Sequence, residues 1–114
     1  MKYVDNPTDQ DAIKRILSFC LEHYTEVISL ELMAKELYLN KYYISNVFKE
    51  RMNVNYKDFV NRLRIEHACN MLKKGVSATE SAYTSGFSSV RTFNRVFQKY
   101  KEMSPRVYKN QKRK

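Results

Sequence analysis

Arg91, Asn94 and Arg95 lie in one short stretch, "SGFSSVRTFNRVFQKY" (Ser85 to Tyr100), among aromatics at helical spacing. Residues three and four apart share a helix face, so these three project together while Phe93, Val96 and Phe97 turn the other way. A guanidinium is a planar fork of donors that matches two acceptors at once, such as O6 and N7 of guanine. A carboxamide pairs with adenine in the same two-point fashion. Arginines at i and i+4 repel slightly, and a polyanion opposite them removes that cost. Arg95 is therefore read as a base reader and Arg91 as a base or phosphate contact. Val90 opens the face as an aliphatic that either covers a thymine methyl or packs on the preceding turn, and Lys99 borders it as a phosphate contact.

A second stretch, "LYLNKYYISNVFKER" (Leu37 to Arg51), has nearly the same rhythm. Ile44, Val47 and Phe48 are its inward stripe, which leaves Lys41, Tyr42, Ser45, Asn46 and Lys49 outward and Tyr43 to the side. Ala34 is followed by Leu39, Ile44, Val47 and Phe48; Ala82 is followed by Phe87, Phe93, Val96 and Phe97, with one more residue in the turn. Two helices, a tight turn and a small residue where they cross form the helix-turn-helix pattern. One match is a weak signal because helical hairpins are common, but a tandem match is much more specific. The helix starts at Asn40 and at Ser88–Ser89 offer backbone N–H groups and hydroxyls to phosphates, with Lys41 and Lys49 as nearby cations.

The elements that must hold these faces are all helical. Gly and Pro number only two each, too few for the turns of an all-β fold, and 114 residues with 43% hydrophobic content bury one modest core or two small ones. Periodicity and caps predict about seven helices: two helix-turn-helix subdomains joined by a long linker helix. Residues 1–7 are a lead-in, 8–54 the first subdomain, 55–75 the linker, 76–109 the second subdomain and 110–114 a basic tail. Thr8, Ser29, Asn40, Ser77 and one of Ser88 or Ser89 are the expected N-caps, and Asn53 and Gly75 the expected terminators. A linker of about 20 residues spans roughly 30 Å, close to the roughly 34 Å turn of B-DNA, so readers at its two ends would fit an asymmetric site.

Charge agrees with this layout. The chain carries +9, yet residues 1–54 hold 7 Lys/Arg against 8 Asp/Glu while residues 55–114 hold 14 against 4. That excess suggests a polyanionic partner on the C-terminal side. A basic helical module meeting an acidic protein is the rival reading, and steep salt dependence of DNA binding separates the two. RNA fits less well, because a recognition helix suits the B-form major groove and not the A-form one.

Other classes are disfavoured. No apolar run of about 18 residues exists, and the start lacks a signal-peptide pattern, which points to a cytoplasmic location. Cys20 and Cys69 fall at apolar helical positions and read as free thiols. With His23 and His67 they would form a zinc set, but His67 and Cys69 are two apart on a helix and point to different sides. No Gly-rich phosphate loop, acid pair or Ser-His-Asp grouping appears, so neither catalysis nor a cofactor is expected.

From about Leu30 to Tyr108 the chain resembles the DNA-binding domain of AraC/XylS-type bacterial transcription regulators. The matching pieces are "LELMAKELYLNKYYISNVFKE", "NYKDFVNRLRIEHACNML", "SGFSSVRTFNRVFQKY" and "MSPRVYK". The resemblance implies seven helices, activation at promoters through double-stranded DNA and RNA polymerase, and a domain that is monomeric by itself. It also singles out Tyr42, Ser45 and Asn46 among the outward residues of the first reading helix as base readers. The family often carries a sensing domain ahead of this one, for which residues 1–7 leave no room, so a stand-alone regulator and a fragment are both open. Four departures stand out. Tyr38 and Glu102 replace glycines usual in the family, and Ser81 and Ser85 replace apolar residues, so the second subdomain is expected to be the less stable. Arg64 is expected to be structural, paired with a carboxylate such as Glu36 or Glu66, and Lys101 to add to the phosphate-facing cations.

Overall fold

The computed structural model describes residues 8–112; the lead-in 1–7 and the last two residues of the basic tail lie outside that range. Among the described residues there are seven helices and no strand: α1 (Asp9–His23), α2 (Leu30–Leu37), α3 (Lys41–Met52), α4 (Tyr56–Lys73), α5 (Ala78–Thr84), α6 (Val90–Lys101) and α7 (Pro105–Lys112). The chain forms two compact units, residues 1–60 and 61–114, and the boundary falls inside α4.

Each helix begins where a side-chain oxygen accepts an otherwise unpaired backbone N–H. Thr8 accepts from Asp11, Ser29 from Leu32, Asn40 from Tyr42 and Tyr43, Asn55 from Asp58, and Ser77 from Glu80. Of the two adjacent serines before α6, Ser89 is the cap, accepting from the Thr92 N–H at 3.1 Å. Ser104 caps α7, accepting from Val107, and Pro105 takes the first helical position, where no donor is lost.

In the first unit the inner faces of the helices bury Ala12, Ile13, Ile16 and Cys20 from α1, Met33 from α2, and Ile44, Val47 and Phe48 from α3. Phe48 meets Phe59 edge-on at 5.4 Å. In the second unit Ile65, Ala68, Cys69 and Leu72 of α4 pack with Ala82, Phe87, Phe93, Val96, Phe97 and Tyr108. Ile65, in the middle of α4, is fully buried. The aromatic chain Phe87–Phe93–Phe97–Tyr108 runs through this core in edge-on contacts of 5.3 to 5.5 Å.

The two turns are built alike. The Leu39 N–H donates to the Ala34 carbonyl and the Phe87 N–H to the Ala82 carbonyl, both at 3.1 Å. Such a bond across a left-handed residue closes a helix and redirects the chain. The left-handed residue is Tyr38 in one unit (φ 57°) and Gly86 in the other (φ 105°). α3 and α6 end in left-handed Asn53 (φ 61°) and Glu102 (φ 57°).

The Arg64 guanidinium, half-buried, stands 5.9 Å from the centre of the Phe87 ring, and burial lowers its proton affinity. Glu66, one of the acids considered for it, bonds to Lys101 at 2.7 Å. Lys101 thus has a carboxylate partner 35 residues away that its local charge pattern does not reveal.

Candidate nucleic-acid interface

α3 buries one stripe and exposes the opposite one. Tyr42 (68% exposed), Asn46 and Lys49 are on the solvent side, and Ser45 is half-buried beside them. Tyr43, at the flank, donates its hydroxyl to Asp9 Oδ1 at 2.7 Å, and Arg51 reaches the other oxygen of Asp9 at 3.7 Å. One carboxylate of α1 thereby holds α3 at two points two turns apart. The bond to Asp9 is the main reason that the Tyr43 hydroxyl resists ionisation beyond its usual range. Asn40 spends its carbonyl oxygen on the N–H groups of Tyr42 (2.8 Å) and Tyr43 (3.3 Å). Lys41 is half-buried, its ammonium 3.3 Å from Glu31 and 5.3 Å from the centre of the Tyr42 ring.

On α6, Arg91, Asn94, Arg95 and Lys99 are all exposed, opposite buried Phe93, Val96 and Phe97. Arg91 and Arg95 have no ion-pair partner among the described residues. Val90 is half-buried, packed against the second core. Ser88 is exposed, whereas the Ser89 hydroxyl donates to Thr92 Oγ1 at 3.0 Å and is committed to the cap.

One outward residue was not anticipated. Gln98 is exposed, four residues after Asn94 and seven after Arg91, and so extends the same stripe by a turn. The seven-residue step from Arg91 was the signal for it. Val90, Asn94 and Gln98 line a shallow groove of about 430 Å³ together with Ser104 and with Pro105 and Arg106 of α7. A carboxamide pair backed by an exposed guanidinium suits a base edge with a phosphate beside it.

Among the described residues no group of three or more His, Cys, Asp or Glu could hold a metal ion, and no helix is long and apolar enough to cross a membrane. Cys20 belongs to the first core and Cys69 to the second, both as free thiols.

Comparison with known proteins places this geometry. A family described as a helix-turn-helix domain matches residues 33–111. The regulatory protein PocR of Salmonella typhimurium is 30% identical over 112 residues, which cover 96% of this chain and 37% of PocR. The C-terminal domain of the two-component response regulator yesN from Fusobacterium nucleatum superposes with a TM-score of 0.80 at 28% identity, over 86% of this chain and 97% of that domain. The DNA-binding domain of the global transcriptional factor AdpA, solved with a target DNA, has the same fold: TM-score 0.81 at 21% identity, over 90% of this chain and 92% of that one. The chain spans little more than a third of PocR's length. With the paired turns, the outward polar stripes and a family match over most of its residues, the chain belongs to the AraC-type helix-turn-helix transcription regulators, a DNA-binding class.

Proposed function

We propose that the chain regulates transcription by reading double-stranded DNA with two helices, α3 and α6, placed in successive major grooves of an asymmetric site. The observation that carries this reading is the repeat itself: two helix pairs closed by the same bond, each presenting a polar stripe. α4 has 18 residues and is about 27 Å long, of the order of the roughly 34 Å helical repeat of B-DNA. A fold neighbour solved with target DNA supports the same use.

In this reading Tyr42, Ser45 and Asn46 read bases from α3, and Arg91, Asn94 and Arg95 from α6, with Val90 against a thymine methyl. Lys41, Lys49, Ser88 and Lys99 fix the register on phosphates with their side chains, and Asn40 and Ser89 through the backbone N–H groups of the helix starts they cap; Gln98 and Arg106 join the second set. Because one chain carries both readers, it binds as a monomer, and its effect on transcription passes through contact with RNA polymerase.

Selection of bound duplexes from a random pool tests the reading. The expected outcome is two unlike boxes about one helical turn apart, bound with an affinity that falls steeply with salt. A palindromic site, a single box, or binding indifferent to salt and sequence would each overturn it.

A further inference from the structure

The first reading helix begins with a cation that is already engaged. Lys41 is the first residue of α3, and its ammonium lies 3.3 Å from Oε2 of Glu31 in the first turn of α2. The same ammonium sits over the Tyr42 ring at 5.3 Å, so carboxylate, cation and reading residue form one chain of contacts. The Glu31 side chain is 71% exposed. The charged groups that act on it are Lys41 of α3 and, at longer range, Lys57 of α4. Its own backbone N–H and then Lys41 hold its carboxyl below the usual range, so it is ionised at neutral pH. A phosphate approaching the start of α3 therefore meets a neutral pair. Arg91 and Arg95 on α6 have no such partner among the described residues.

We infer that Glu31 competes with DNA phosphate for Lys41, so that docking of the first reader exchanges a carboxylate for a phosphate and Glu31 limits affinity. The inference rests on the reading of α3 as a DNA-reading helix. Its size is bounded by physics. Exposed ion pairs contribute little, so the expected change in binding is no more than about five-fold. The carboxylate left behind also takes up a cation when Lys41 moves to DNA, which offsets part of the ion release that drives association.

The test uses fluorescence anisotropy on the selected duplex and on a scrambled one, across a salt series, with the wild-type chain, E31Q, E31D, K41Q and the E31Q/K41Q double variant. Thermal unfolding confirms that each is folded. E31Q should bind both duplexes about two- to five-fold more tightly. Its dependence of log K on log salt should steepen by up to about one ion. E31D, which keeps the charge, should not tighten binding, and E31Q should lose its effect when Lys41 is already Gln. Weaker binding by E31Q would mean that Glu31 orients Lys41 and Tyr42 for contact, and it overturns the inference. Unchanged binding overturns it too, as does equal tightening in the K41Q background, which would reduce the effect to net charge. Should the wild-type chain show no salt-dependent binding to either duplex, the DNA-reading function itself fails, a result distinct from all of these.

Discussion

The turn before α3 and the turn before α6 are closed by bonds of the same length between corresponding residues, yet their unfavourable features fall in different places. Before α3 the cost is in the backbone, because Tyr38 holds a left-handed conformation that Gly86 holds freely before α6. Behind α6 the cost is in the core, because Ser81 and Ser85 are fully buried where a hydrophobic side chain would contribute more. Ser85 is bonded to His67 Nδ1 at 2.8 Å, but the Ser81 hydroxyl has no partner. Charge divides differently again. Residues 1–60 hold 8 Lys/Arg against 9 Asp/Glu, a net of −1, and residues 61–114 hold 13 against 3, a net of +10. The same backbone device thus carries an outward stripe of largely uncharged side chains in one unit and one with guanidinium groups in the other.

The largest expected effect on this comparison comes from alkali. Burial pushes the Cys20 thiol of the first unit from 9.0 up to about 11, and the Tyr108 hydroxyl of the second from 10.0 up to about 12. Cys69, bonded to Tyr108, is also raised. A group whose folded pKa is raised adds stability in full below its unfolded pKa and loses it as pH climbs through the folded one. For fully buried Cys20 a two-unit shift corresponds to about 3 kcal/mol, and the Tyr108–Cys69 pair adds in the same direction. The first unit should lose stability between pH 9 and 11, and the second should go on losing it towards pH 12. Denaturant unfolding from pH 8 to 11, with Cys20→Ala as the control that flattens the first unit's profile, measures this. A Tyr108 that ionises near pH 10 while the chain is still folded would contradict its burial.

Next in size is the division between the readers. Arg95→Ala should cost about 1–3 kcal/mol on the selected site and relax preference at one base pair. Lys99→Ala should weaken selected and scrambled duplexes alike and reduce the salt slope by about one. Asn46→Ala in the first unit should change preference while leaving the salt slope intact, because no charge is lost. Equal losses on both duplexes for Arg95→Ala would reassign that residue to phosphate.

A smaller effect is expected from the buried hydroxyl. Ser81→Ala removes an unpartnered polar atom from an apolar core at little cost in volume, and should stabilise the second unit by about 1 kcal/mol. Hydrogen exchange should find residues 77–100 opening before the first unit in the wild type and later in the variant. If residues 77–100 are the best protected part of the chain, the second core is not the weaker one.

How much of this was legible beforehand depends on how far apart the determining residues lie. Helix starts were legible because a cap is a contact within three residues, as at Thr8, Ser29, Asn40 and Ser77. Ser88 and Ser89 were indistinguishable, since either hydroxyl reaches the helix start and only backbone geometry selects Ser89. The outward stripes of α3 and α6 were legible from periodicity, and Gln98 was missed only because the second stripe was ended a turn early. The partners of Lys41 and Lys101 were not legible, because Glu31 and Glu66 lie 10 and 35 residues away and pair through folding. That Ser81 is unpartnered while Ser85 finds His67 likewise depends on packing against α4, not on local pattern.

The smallest effect isolates the backbone half of the comparison. Tyr38 sits at φ 57° and ψ 43° and is about half exposed. A left-handed non-glycine residue costs roughly 1–2 kcal/mol, and glycine returns roughly 0.5–1 kcal/mol of that through the greater freedom of the unfolded chain. Tyr38→Gly should therefore stabilise the first unit by only about 0.5–1 kcal/mol. The mirror change, Gly86→Ala, forces a side chain into φ 105° and should destabilise the second unit by more than the first gains. Urea unfolding of both variants measures the pair. A destabilised Tyr38→Gly would mean that the exposed ring contributes more through its contacts than its backbone strain costs, and the first unit would then hold its turn by its side chain where the second holds it by having none.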